Sequence, residues 1–294
     1  MPVFSSKLNT IANSTNSYLK SFFFKQKKNS YLLEPMQYGV FSGGKRFRSA
    51  IVVNTGKIFD IDYKKLIIIG SAIECIHSYS LIHDDLPSMD NDELRRGKLS
   101  VHRKFNEFTA ILAGNSLLVL AFEILSGKEL KLSQNYKNQL IRTLSMCSGH
   151  SGLAGGQYSD LIFENKSILK KNIINMQKQK TGELFGFCCE SIAIIKGLNS
   201  IKRKKLKEIG INVGLLFQIV DDLIDYKEDS VIVGKPTGDD EKKSKATLVN
   251  LLGYEETINF AKNLKKKIDQ KIKKYGTKAN DLLDSVKFIL ERKS

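Results

Sequence analysis

Apolar residues recur three or four positions apart, the helical spacing, through five long stretches at 65–85, 105–125, 172–195, 201–226 and 254–274. The first, KLIIIGSAIECIHSYSLIHDD, contains no proline and is nearly all apolar along one side, so a helix is its natural form. Breaks fall at 39–44, at Pro87, at 152–156 and at 233–238, where glycine or proline punctuates the pattern. No stretch alternates apolar and polar residues between hairpin turns, so no sheet is expected. Neither a fixed-length repeat nor a linker-like segment divides the sequence. The pattern predicts an all-α fold, one domain over 1–294 with about ten helices.

Composition changes this picture little. The 294 residues suffice for a substantial core, and 41% hydrophobic content argues against disorder. With only 4 prolines, long helices are permitted almost everywhere. The net charge of +16 points to an anionic partner, but the lysines are spread widely, so a solvated surface explains much of it. Cys75, Cys147, Cys188 and Cys189 sit in apolar runs without CxxC spacing, which fits reduced, buried thiols in a cytoplasmic protein. The first residues, MPVFSSKLNTIANSTN, lack the basic start and apolar core of a signal peptide. No segment is expected to span a bilayer.

The chemistry enters with two acidic clusters. Asp84, Asp85 and Asp90 read as DDxxxxD at the end of the most apolar stretch, with Pro87 turning the chain so that Asp90 returns towards the other two. A solvated helix end is the plain alternative, although acid at a helix C-terminus is mildly unfavourable. Asp221, Asp222 and Asp225 lie in FQIVDDLIDY, where Asp221 and Asp225 are one turn apart. Their neighbours Ile219, Val220, Leu223 and Ile224 are apolar, and burying unpaired charge there is costly. A divalent cation relieves that conflict, and carboxylate oxygens are the hard ligands that Mg²⁺ takes together with phosphate. Two such clusters specify a metal site far better than one.

Basic residues complement them. In SGGKRFRS, Lys45 and Arg48 are three apart and expected on one helix face, behind glycines that let the backbone approach an anion. Residues 39–45 satisfy GxxxxGK, but Arg46 stands where a P-loop needs Ser or Thr, and no strand precedes it. His77 lies two helical turns before Asp84, either as a core residue or as a donor to a diphosphate. Arg95 and Arg96 follow the first cluster closely. Gly182 is expected to kink a helix and expose the Lys180 carbonyl, while Gln218 sits one turn before Asp222. Lys235 and Lys245 fall on the loop beyond it, where a lid could bring them to phosphate.

With these pieces in place, the sequence resembles the trans-isoprenyl diphosphate synthases, most of all their bacterial farnesyl diphosphate synthase (geranyltranstransferase) members. The matching stretches are GGKRFR, ECIHSYSLIHDDLPSMDNDELRRGK, AILAGNSL, LAGGQYSD, QKTGEL, FQIVDDLID and GK…GDD…SKAT, in family order over residues 39–250. The resemblance implies helices around a central cavity, a homodimer, and two to three Mg²⁺ ions held by Asp84, Asp85, Asp90, Asp221 and Asp225. It implies that Lys45, Arg48, His77 and Arg96 take isopentenyl diphosphate. Arg95, Lys180, Thr181, Gln218, Lys235 and Lys245 would surround an allylic partner, dimethylallyl or geranyl diphosphate. The reaction implied is ionisation, condensation and elimination, with Asp84, Asp85, Asp90, Asp221 and Lys180 as the catalytic set and farnesyl diphosphate as the product.

Two departures stand out: Asn115 replaces the usual Asp, and Thr247, Leu248 and Val249 follow Lys245 where the family has Thr-Tyr-Pro. The second is expected to loosen the lid. Product length is expected to depend on Tyr79, five residues before Asp84 and about 7.5 Å down a helix, although Ser80 lies closer to the Asp84 face. Geranyl or geranylgeranyl diphosphate synthesis is the nearest alternative. A terpene cyclase would not need the second set of cations, and an inactive partner subunit would not need intact Asp clusters. Nucleic-acid binding would rest on charge alone, and none is expected.

Overall fold

The computed structural model describes residues 2–26, 30–233 and 245–292. They divide into two compact units, 1–141 with 194–196, and 142–193 with 197–294. The first holds α1 (Pro2–Lys25), α2 (Leu33–Phe41), α3 (Phe47–Ile58), α4 (Tyr63–Asp84), a hairpin of β1 (Leu94–Arg95) and β2 (Lys98–Leu99), α5 (Val101–Lys104), α6 (Glu107–Ser126) and the start of α7 (Gln134–Ser148). The second holds the end of α7, α8 (Leu153–Phe163), α9 (Lys170–Gln177), a π-helical turn (Lys178–Gly182), α10 (Glu183–Ile195), α11 (Ser200–Val233), α12 (Leu248–Leu252), α13 (Tyr254–Ile272) and α14 (Asn280–Glu291). The all-α expectation holds. The helices outnumber the expected ten because the 172–195 stretch is divided by the π turn and because α5 and α12 are too short to show a period.

In the first unit α4 is the core element. Asp62 caps it, accepting a hydrogen bond from the Lys65 N–H, and fifteen of its residues from Leu66 to Ile82 are buried. A helix apolar on all sides has to be surrounded, and α1, α2, α3 and α6 pack against it. By length and composition α4 and α6 could each cross a membrane, contrary to the expectation that no segment would. In α4 the apolar character has a different cause, because 78% of its most apolar window is buried within the protein; for α6 the figure is 44%.

In the second unit α11 plays that part, contacting α12, α13, α14 and the π turn. Buried charge there is paired, as burial demands. The Arg203 Nε lies 2.7 Å from Glu190, and its Nη2 donates to Thr143 Oγ1 at 2.8 Å. Lys207 Nζ lies 3.0 Å from Glu183. All four cysteines are free and buried, as their apolar settings suggested.

Three local expectations need correction. Gly39 continues α2, and Gly155 and Gly156 lie inside α8, so the breaks are narrower than glycine content suggests. Lys45 precedes α3 and therefore shares no helix face with Arg48, because Arg46 adopts a left-handed conformation that delays the helix to Phe47. The 94–99 hairpin went unforeseen, since two-residue strands carry no periodicity.

Candidate active site

The first cluster forms where α4 stops. Asp85 follows its last turn, donating its N–H to the Leu81 carbonyl at 3.1 Å. The chain then folds back through Pro87, and the Asp90 N–H donates to the Asp84 carbonyl at 2.9 Å. This is the return that proline promised, and it leaves Asp84 and Asp90 half-buried at neighbouring positions. Asp85 is buried and faces Arg95, whose Nε donates to it at 2.9 Å and whose Nη2 donates to the same oxygen. Burial pushes the Asp85 carboxyl upward in pKa while Arg95 pulls it down. Arg95 also donates to Asp92 at 2.8 Å, so Asp92 helps to orient the arginine. Asp85 and Arg95, expected on metal and on substrate, thus lie against each other.

The hairpin that carries Arg95 also places Arg96. Leu94 pairs with Leu99 and Arg95 with Lys98, leaving Arg96 and Gly97 as a two-residue turn, both at positive φ as tight hairpins require. From that turn the Arg96 Nη1 donates to the Gly43 carbonyl at 2.5 Å. Gly44, at φ +106, sits beneath the guanidinium, and a Cβ there would come within 2.5 Å of it. The glycines of the GGKRFR stretch therefore admit an arginine from another element.

Arg46, which sequence reasoning passed over, fixes this corner. It is buried; its Nε donates to Asn16 Oδ1 at 2.9 Å and its Nη2 to the Val40 carbonyl at 2.5 Å. Its Nη1 lies 3.8 Å from Glu74. Glu74 in turn accepts the Ser49 N–H at 3.1 Å, capping the first turn of α3 from α4. Lys45 is left exposed, Arg48 is buried, and Arg46, Arg48, Arg95 and Arg96 all act on His77. Burial first, then these guanidinium groups, holds the His77 pKa well below its ordinary 6.5, so the imidazole is a neutral hydrogen-bonding group. Glu74, a lone carboxylate inside the apolar α4 stretch, was the available signal.

The second unit carries a hydrogen-bonded chain. Thr181 Oγ1 donates to Gln218 Oε1 at 2.7 Å, and Gln218 Nε2 donates to Asp222 at 2.9 Å. Gln177 Nε2 donates to the other Asp222 oxygen at 2.7 Å. Asp222 is buried, and burial with Asp221, Asp160 and Asp225 nearby outweighs the help from Gln218, pushing its pKa up to about 7. Asp221 is less buried and lies 2.6 Å from Arg292 Nη2; that guanidinium also stacks 3.8 Å from the Phe217 ring centre. Asp225, one turn on, is exposed. Lys180 Nζ is 2.6 Å from Asp160. The expected kink is real, in the form of the π turn over Lys178–Gly182, a geometry that disturbs regular backbone pairing. Arg292, Asp160 and Gln177 were missed, because sequence distance hides tertiary partners.

Tyr79 is buried, as is Ser80, whose hydroxyl donates to the His77 carbonyl at 2.9 Å. Asn115 is exposed on α6. Lys245 is exposed ahead of α12, and Lys235 lies outside the described residues. After Lys245, Thr247 caps α12 by accepting the Asn250 N–H, and Leu248 and Val249 are buried, so the altered segment is a packed helical turn.

Among the described residues no three Asp, Glu, His or Cys side chains converge as a self-sufficient metal cage. The donor sets nevertheless suit Mg²⁺, which keeps waters and takes one or two carboxylates plus phosphate oxygens. Asp84 with Asp90, and Asp221 with Asp225, supply hard oxygens at that modest number.

The neutral state of His77 has a measurable consequence. Below pH 6.5 the unfolded chain takes up a proton at His77 that the folded chain refuses, so this residue removes stability as pH falls through that value. His77→Gln is therefore expected to flatten the fall in stability between about pH 7 and pH 5, relative to the unsubstituted protein. Urea titrations at several pH values measure it, and parallel curves for the two proteins would contradict the assignment.

Residues 29–286 match the family model described as polyprenyl synthetase. The farnesyl diphosphate synthase of Micrococcus luteus is 42% identical over 226 residues, 77% of each chain. Among solved structures, an FPP/GFPP synthase from Zymomonas mobilis superposes with a TM-score of 0.85 at 38% identity, over 98% of this chain and 100% of that one. A Helicobacter pylori geranyltransferase, complexed with magnesium and isoprenyl diphosphate, matches with a TM-score of 0.80 at 30% identity, over 98% of this chain and 96% of that one. The helical fold, the two Asp clusters and these likenesses agree, and the chain belongs to the polyprenyl synthetase family.

Proposed function

We propose that this protein is a Mg²⁺-dependent farnesyl diphosphate synthase, condensing isopentenyl diphosphate with dimethylallyl and then geranyl diphosphate. The observation that carries this reading is the backbone hydrogen bond from the Asp90 N–H to the Asp84 carbonyl in the turn that closes α4, which brings these two half-buried aspartates together while Arg95 binds Asp85. Asp84, Asp90, Asp221 and Asp225 are the metal ligands in this reading; Asp221 would have to release Arg292 to bind the ion, and Asp85 would have to release Arg95 to join them. When bound, magnesium supplies the positive charge that makes diphosphate a good leaving group.

The chain's own residues do the rest. Lys45, Arg48 and Arg96, with the neutral His77, hold the diphosphate of isopentenyl diphosphate. Arg95, Lys180, Lys235 and Lys245 serve the allylic diphosphate. The allylic C–O bond breaks with its electron pair leaving on diphosphate. The double bond of isopentenyl diphosphate then attacks the allylic cation, and the proton lost in elimination goes to the released diphosphate. The Lys180 carbonyl, the Thr181 hydroxyl and the Gln218 amide offer dipoles to the cation and contain no strong nucleophile that could trap it. Thr181 and Gln218 are already joined by a hydrogen bond, which fixes their orientation before substrate arrives.

We also assign the protein to the cytoplasm as a homodimer acting as one domain. The free cysteines support the first. Helix α6 supports the second, for Phe108 is 67% exposed, Leu112 49% and Val119 64%, an apolar strip that a second copy would cover.

Feeding dimethylallyl and isopentenyl diphosphates to the purified enzyme should give a fifteen-carbon product that disappears with EDTA and returns with Mg²⁺. Asp84→Ala and Asp221→Ala should each lower kcat by about 10²–10³-fold; magnesium-independent turnover, or a twenty-carbon main product, would refute the respective part of the reading. Light scattering should give twice the mass of one chain, falling to one chain for Val119→Lys. A monomeric unsubstituted protein would exclude the dimer.

A further inference from the structure

Tyr79 alone does not define a rigid wall, because an aromatic ring on a helix can swing about its first side-chain torsion. The structure shows what stops it. Tyr79 and His83 lie one turn apart on α4, and their rings meet edge to face, with centroids 5.6 Å apart and planes at 84°. His83 is itself anchored on another helix, its Nε2 lying 3.1 Å from the Ile111 carbonyl of α6. A carbonyl only accepts, so that nitrogen carries the proton.

The anchor needs room, and Gly114 provides it. A Cβ at Gly114 would collide with the His83 Nε2 and its neighbouring ring carbon. Here α6 presents bare backbone to the imidazole, one turn beyond the carbonyl that holds it. His83 thus joins α6 to the ring of Tyr79, and it is adjacent in sequence to Asp84 without belonging to either set of proposed ligands.

We propose that His83, seated against Gly114 and bound to the Ile111 carbonyl, is a positioning residue for product length: it holds the Tyr79 ring across the path of the growing chain. The inference rests on the reading of Tyr79 as the wall. Without the imidazole the ring is free to rotate aside, and condensation continues beyond fifteen carbons. No contact of His83 with diphosphate or with the reacting carbons is invoked.

Product chromatography of Tyr79→Ala, His83→Ala and the double variant tests this at equal consumption of isopentenyl diphosphate, with thermal melting to confirm folding. His83→Ala is expected to raise the share of products longer than fifteen carbons by about ten-fold, the discrimination that a pocket wall typically supplies. The double variant should match Tyr79→Ala, because His83 acts only through that ring. If His83→Ala does not fold, Gly114→Ala carries the same expectation, since its methyl displaces the imidazole from the opposite side. An unchanged product profile in the folded histidine or glycine variant, alongside lengthening in Tyr79→Ala, overturns the proposal. Lengthening in the double variant beyond that of Tyr79→Ala also overturns it. If Tyr79→Ala itself leaves the product unchanged, the underlying reading of the wall fails instead.

Discussion

A carboxyl group carried on an apolar helix can be accommodated by cations, by hydrogen-bond donors, by remaining near water or by keeping its proton. The protein uses a different solution for each of its central aspartates. Asp85 is buried and held by Arg95. Asp222 is buried and held by two glutamine amides, which do not carry charge, so its proton is retained up to about pH 7. Asp84, Asp90 and Asp225 keep partial contact with solvent.

The cationic side obeys the same rule with the signs reversed. Arginines crowd the GGKRFR corner, and a cluster of guanidinium groups without a counterion would repel itself. Glu74 is the carboxylate set among them, 3.8 Å from Arg46 and also acting on Arg96. By accepting the Ser49 N–H as well, it couples the charge arrangement to the start of α3. The corner is therefore organised by its own contacts, with Arg46 buried at its centre and Arg96 held on the Gly43 carbonyl.

The main helices were legible in the sequence because long amphipathic or wholly apolar runs leave a strong period. The end of α4 was legible because Pro87 interrupts such a run, and the irregularity at 178–182 because Gly182 sits within another. The hairpin at 94–99 was not legible, since its form depends on left-handed backbone at Arg96 and Gly97 and on two pairs of residues. Pairing was the least legible feature. Nothing in the order DDLPSMDND says that Asp85 and Asp92 will share Arg95, because that choice is made by the folding of the hairpin. Arg292, more than sixty residues beyond Asp221, is an extreme case of the same difficulty.

We propose that each acidic cluster binds magnesium together with diphosphate. Calorimetric titration of Mg²⁺ with inorganic diphosphate into the protein tests it without relying on turnover. Asp84→Asn and Asp221→Asn should each weaken binding by about ten-fold or more. Undiminished binding in either single variant would contradict the account.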